Sequence, residues 1–462
     1  MNQEFDLIVI GAGPAGEKGA AQAAYFEKRV AIIDARVQPG GAAVHTGTLP
    51  SKTLREAALY LSGHRARELY GISARLDADA TLTRLLDRKD AIIAAESATI
   101  SQNLERHGIE RFTGRGRIVD AHCVEVQAAS AVRLRAEHIL IATGSCPYRP
   151  DDIDFEDDCI HDSDEILQLR EIPKTLIVLG AGVIGCEYAC MFAALGCSVT
   201  LVDTRAQILP FLDTELVERL TQTMQRNGIR FLAQQRWTRV AHGSGGVQVD
   251  LSDGTTICAE QLLFAAGRMG ATTGLGLQQI GIAPDKRGYV SVDECYRTPV
   301  PSVWAAGDVI GFPALASVSM EQGRVAMCHA FGFEYKRSVA ELLPYGIYTI
   351  PEVSAVGATE QSCQERGIRY VTGKAHYSDN ARGKITGDTE GFTKLVVNAD
   401  SRKLIGVHLI GESATELVHI GQTAVQLGAP VDAFIEMVFN YPSLAESYKY
   451  AAYACLHALA QK

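Results

Sequence analysis

Residues 5–34, FDLIVIGAGPAGEKGAAQAAYFEKRVAIID, decide the fold. An apolar run enters Gly11-x-Gly13-x-x-Gly16, an alanine-rich helical stretch follows, and a second apolar run ends at Asp34. Each glycine answers a physical need. The first makes the tight turn, the second lets backbone N–H groups approach a pyrophosphate, and the third lets helix and strand pack closely. A helix that starts there turns its positive end toward the phosphate charge.

A lone motif of this kind is weak, because glycines also make ordinary turns. Here it is duplicated. Residues 175–203, TLIVLGAGVIGCEYACMFAALGCSVTLVD, repeat the order with Gly180, Gly182, Gly185 and Asp203. Gly11 to Asp34 and Gly180 to Asp203 both span 23 positions, the spacing at which an acid meets a ribose. Two dinucleotide sites in one chain imply FAD in one and NAD(P) in the other.

Further segments sit where such a chain needs them. EHILIATGS (137–145) and EQLLFAAGR (260–268) each end a strand in small residues, offering Thr143, Gly144 and Gly267. VWAAGDVIGFPALASVSMEQGR (303–324) puts Asp308 after a strand and a glycine, placed for a ribityl chain. Leu315, Ala316 and Ser317 follow it.

Composition narrows the class. With 47% apolar and 21% charged residues the chain reads as folded and globular, with room for several cores. A net charge of −10 argues against nucleic acid as a partner. Apolar runs such as LIVIG (7–11) fall far short of the roughly 20 residues a membrane helix needs, so no membrane insertion is expected. The N-terminus lacks a basic region and cleavage site, and the eleven cysteines show neither metal nor disulfide spacing; a cytoplasmic protein with no metal site is expected. Cys186 and Cys190, four apart on a predicted helix, read as packing residues rather than a dithiol.

GGAAVHTGTLPSK (40–52) carries the functional question. Its frame resembles the helix start of the pyridine nucleotide-disulfide oxidoreductases, where GG-x-C-x4-C-x-PSK holds a redox disulfide. The resemblance runs the length of the chain, through GAGVIGCEYA (180–189), DTRAQILPFLD (203–213), YGIYTIPEVSAVG (345–357), GESATELVHIGQ (411–422) and FNYPSLAES (439–447). The chain is most similar to the soluble, Si-specific pyridine nucleotide transhydrogenase branch. That resemblance implies an α/β fold with two Rossmann-like domains, for FAD and NAD(P), plus a C-terminal α+β dimerisation domain. The expected divisions are 1–150 and 273–340 for FAD, 151–272 for NAD(P), and 341–462 for the homodimer.

Against the family pattern both cysteine slots are changed, to Ala43 and Thr48, and Tyr441 stands where an H-P-x-x-x-E motif has its histidine; Glu446 is kept. Loss of the disulfide and of its proton-transfer partner together speaks against thiol chemistry. The nicotinamide half is intact by the same resemblance. Lys52 matches the lysine beside flavin N5, Glu187 matches its carboxylate partner, and Gly40 and Gly41 approach the cofactor. His45 is read as catalytic or as polar packing. Asp203 favours NAD(H), and Arg205 either binds a 2′-phosphate or is solvated.

The implied function is ping-pong hydride exchange between NAD(P)H and NAD(P)+ through non-covalent FAD. The alternative is an NAD(P)H dehydrogenase reducing a quinone, dye or oxygen, kept open by the small Ala42–Ala43 pair. A flavin-containing redox sensor is a third class, which turnover with any acceptor would eliminate.

Overall fold

A computed structural model describes residues 3–61, 78–128, 131–243 and 245–461. The two fingerprints fold as copies of one geometry. The strand Gln3–Ile10 runs into Gly11 at φ +107°, and Thr175–Leu179 into Gly180 at φ +108°. A β-carbon on Gly11 would meet the Ala142 carbonyl oxygen at 2.3 Å, and one on Gly180 the Ala265 oxygen at 2.8 Å, so each turn requires glycine. The following helices, Pro14–Tyr25 and Val183–Ala194, are capped by Gly13 and Gly182 with ψ of −173° and −171°.

Around each fingerprint the buried apolar strands assemble a parallel sheet. In the first, the order is Glu110–Thr113, Val30–Asp34, Gln3–Ile10 and Val132–Ile141, all parallel. Val132–Ile141 is long enough to pair twice more. Its start takes the antiparallel strand Cys123–Gln127, on whose far side Arg115–Asp120 pairs in turn, and its end takes Val303–Ala305 in parallel. Asp308, just beyond that last strand, is thereby carried to the carboxyl edge of this sheet.

The second sheet runs Ile229–Ala233, Ser198–Asp203, Thr175–Leu179, Gln261–Phe264 and Ile160–Asp162, all parallel. Its central residues Val178, Leu201 and Leu263 have no exposed surface, as expected for strands covered on both faces. A three-stranded antiparallel sheet, Trp237–Gly243, Gly246–Leu251 and Thr256–Ala259, stands beside it. Cys186 and Cys190 are buried on the helix between Thr175–Leu179 and Ser198–Asp203. Burial raises both thiols, Cys190 to about 12, so they stay protonated and apolar.

Within residues 345–410 a further, antiparallel sheet runs in the order Tyr345–Ile347, Val353–Gly357, Leu404–Ile410, Phe392–Asn398 and Tyr370–His376. Helices Ala414–Gln426 and Ser447–Ala460 pack their buried faces on it. The mixed α/β fold with an α+β C-terminal part is as the sequence implies. Among the described residues no helix is long and apolar enough to cross a membrane.

Candidate active site

One cleft of about 1670 Å³ joins the carboxyl edges of both parallel sheets and continues to the C-terminal sheet. That exceeds the roughly 300–1,000 Å³ of a single small-ligand pocket. Gly11, Gly13, Asp34, Gly41, Thr143, Gly144, Asp308, Leu315, Ala316 and Ser317 line its first lobe. The second is lined by Gly180, Gly182, Glu187, Asp203, Arg205 and Gly267, and Lys52 stands between them. First-turn residues of three helices, Pro14–Tyr25, Val183–Ala194 and Ala316–Phe331, contribute to the wall, where free N–H groups favour anions.

The polar groups fit dinucleotides. Thr143 Oγ1 is buried without a protein partner. A β-carbon at Gly144 or Gly182 would meet nothing within 4 Å, so open space adjoins the backbone there. By contrast Gly16 and Gly185 do not line the cleft: a β-carbon on either would sit 1.8 Å from the carbonyl oxygen of Gly11 or Gly180. They serve the fold. Gly40 likewise packs on Val44, while its neighbour Gly41 reaches the cleft.

The closing acids occupy equivalent places. Asp34 accepts the Ala12 amide at 2.7 Å and the Arg36 amide at 2.8 Å; Asp203 accepts those of Ala181 at 2.6 Å and Arg205 at 2.8 Å. Asp203 differs in one respect. The Arg205 guanidinium forks onto it, Nε to Oδ1 at 2.8 Å and Nη2 to Oδ2 at 2.7 Å. Burial pushes the Asp203 carboxyl up, but the Arg205 side chain and amide outweigh this and hold it below its ordinary value. Arg205 is thus neither free nor merely solvated.

Between the lobes, Lys52 Nζ donates to Glu187 Oε2 at 2.6 Å. Glu187 is 7% exposed, and its other oxygen accepts the Tyr348 amide at 2.8 Å. The Tyr348 ring lies under the ammonium, 5.0 Å from Nζ to the ring centre. A carboxylate buried on an apolar helix is thereby satisfied on both oxygens, as burial demands. Ala43 and Thr48 line the cleft nearby, and among the described lining residues none is a cysteine.

His45 does not line the cleft; its Nε2 approaches the carbonyls of Gln38 and Pro39 at 3.0 and 3.2 Å, tying the loop before it. Tyr441 is 74% exposed, and Glu446 caps the last helix; neither lines the cleft of its own chain. Sequence reasoning missed Tyr348, whose role depends on a fold contact across 161 positions. It also missed Ser145 and Arg268. Ser145 Oγ donates to Asp308 Oδ2 at 3.0 Å and accepts Arg268 Nε at 2.8 Å, linking the two lobes. The Gly-Ser and Gly-Arg pairs that close the two supporting strands were the available signal.

Comparison with known proteins agrees with this geometry. Residues 5–323 match the pyridine nucleotide-disulphide oxidoreductase family profile, and 343–452 match the dimerisation domain of that family. A soluble pyridine nucleotide transhydrogenase of Mycobacterium bovis is 45% identical over 453 residues, 97% of each chain. One from Pseudomonas putida is 41% identical over 460 residues, covering 98% of this chain and 99% of that protein. Among solved structures, LpdA of Mycobacterium tuberculosis superposes with a TM-score of 0.90 at 30% identity, over 97% of this chain and 99% of that one. The HOCl-induced flavoprotein disulfide reductase RclA of Escherichia coli gives 0.88 at 26%, with the same coverage.

Proposed function

The chain belongs to the pyridine nucleotide-disulphide oxidoreductase family, and on that premise we propose that it is a soluble, FAD-dependent transhydrogenase exchanging hydride between NAD(H) and NADP(H) in a ping-pong cycle. One observation carries the reading: the Lys52–Glu187–Tyr348 cluster is complete while no cysteine lines the described cleft. The full-length likeness to soluble transhydrogenases supports it.

In this reading residues 1–150 and 273–340 hold FAD, 151–272 hold the pyridine nucleotides in turn, and 341–462 make the homodimer. Non-covalent FAD would supply a two-electron hydride carrier common to both coenzymes. The chain's own residues bind and position. Glycines 11, 13, 180 and 182 admit pyrophosphates to the helix N-termini. Lys52, oriented by Glu187, sets a positive charge beside the ring system, where negative charge develops on reduction. Asp203 accepts a ribose hydroxyl from NAD(H), and Arg205 leaves it to clamp the 2′-phosphate of NADP(H). Tyr441 and Glu446 of one subunit would wall off the neighbour's vacated disulfide side, excluding water and other acceptors.

The small Ala42 and Ala43 side chains on the cleft wall favour a second reading, reduction of a quinone or dye. Steady-state kinetics separate the two. With NADPH and thio-NAD+ varied together, a transhydrogenase gives parallel double-reciprocal lines. A rate seen only with quinone or dye would overturn the proposal in favour of the dehydrogenase.

A further inference from the structure

The stretch that leads from the first lobe to the second, DDIDFEDDC (151–159), has no part in hydride exchange, yet it brings together an unusual donor set. Asp157 Oδ2 lies 2.9 Å from His242 Nδ1, across 85 positions, on the first strand of the three-stranded sheet. A donor atom each from Asp157, Cys159 and His242 lies within 4.8 Å of the other two. We propose that these three side chains form a binding site for a single divalent transition-metal cation of the zinc type.

The donors suit that class. A carboxylate oxygen, a thiolate and an imidazole are the ordinary ligands of zinc, and three protein ligands leave a fourth position for water. A tetrahedral ion sets its donors about 3.3–3.7 Å apart, a spacing close to that of these three atoms, which lie within 4.8 Å of one another. It is also held in place. Asp157 Oδ1 accepts the Cys159 amide at 2.8 Å, which fixes the carboxylate with its second oxygen aimed at His242. Burial raises the Cys159 thiol and Asp157 raises it further, so in the metal-free chain it keeps its proton. Asp151, Asp152, Asp154, Glu156 and Asp158 are exposed around it and add negative charge that attracts a cation. Calcium or magnesium would not choose a thiol and an imidazole.

Binding displaces the thiol proton of Cys159, and the freed thiolate joins the Asp157 carboxylate and the His242 imidazole as ligands. It pins the connector to the second unit. Zn2+ titrated into the holoenzyme against a competing chelator, by calorimetry, tests this. One site is expected in the wild type, weakened more than about tenfold in Cys159→Ser and in His242→Ala. Cys258→Ser removes an exposed thiol on the strand Thr256–Ala259 of the three-stranded sheet and is expected to change nothing. Equal Zn2+ binding in all four proteins, or loss only in Cys258→Ser, overturns the proposal. A second readout needs no variant: alkylation of Cys159, followed by peptide mass spectrometry, slows in Zn2+ and recovers with EDTA. Unchanged labelling overturns the site.

Discussion

Arg205 forks onto both oxygens of Asp203, so under the proposed function coenzyme choice is a competition for one guanidinium. In the proposed cycle NADPH draws Arg205 away from Asp203, whereas NADH uses the carboxylate alone. A charge-assisted pair of this kind contributes about 1.5–3 kcal/mol. Arg205→Ala is therefore expected to weaken NADPH binding by roughly 10- to 100-fold and NADH binding little. Asp203→Asn frees the guanidinium and is expected to shift the ratio the other way; fluorescence titration of each variant with each coenzyme checks both. Equal losses for the two coenzymes in Arg205→Ala would remove Arg205 from 2′-phosphate recognition. Their place at the end of the second fingerprint was legible in the sequence, since their spacing from Gly180 is local, and both line the cleft. The sequence did not reveal their mutual fork, which depends on side-chain conformers that spacing does not determine.

The strand–glycine–helix elements were the most legible part of the chain, because each is encoded within thirty residues. Their glycines nevertheless divide into two kinds, which only packing distinguishes. Gly185 supports the Gly180 carbonyl, and a β-carbon there has 1.8 Å of room, whereas Gly182 faces open space in an unstrained conformation. Gly185→Ala is expected to lower the melting temperature, overpacking costing about 1–3 kcal/mol or more. Gly182→Ala is expected to leave melting unchanged but to weaken pyridine nucleotide binding, its methyl entering the space of the pyrophosphate. Differential scanning fluorimetry with and without NADH reads both; equal melting losses would contradict the division. Less legible were elements whose place rests on distant pairing, such as the short strand Val303–Ala305 and the segment that brings Tyr348 to Glu187.

At the scale of the molecule, a buried charge network fastens the second unit to the C-terminal sheet. Lys394, on the strand Phe392–Asn398, donates to Asp213 at 2.8 Å and also pairs with Glu215 and Glu360. Burial pushes Asp213 up, yet His408 and Lys394 leave it below its ordinary value; Lys374 and Lys394 do the same for Glu215. Carboxyls depressed in the folded state contribute stability above their unfolded values and lose it as pH falls through the folded ones. Lys394→Met strands Asp213 and is expected to cost about 3–5 kcal/mol near neutrality. The gap in melting temperature from wild type then narrows as pH drops below about 4. A gap independent of pH would mean the lysine acts through packing alone. No sequence pattern announced this network, since its members come from three separate regions and a charged residue on a strand ordinarily faces water. The proposed cycle requires both coenzymes to serve one carrier in one cleft. Anaerobic stopped-flow tests it most directly: the enzyme is reduced by NADPH or by NADH, then mixed with thio-NAD+. Rapid bleaching by both coenzymes and rapid return of the yellow absorbance with thio-NAD+ is the predicted result; reduction by one coenzyme alone, with return only on adding quinone or oxygen, would contradict it.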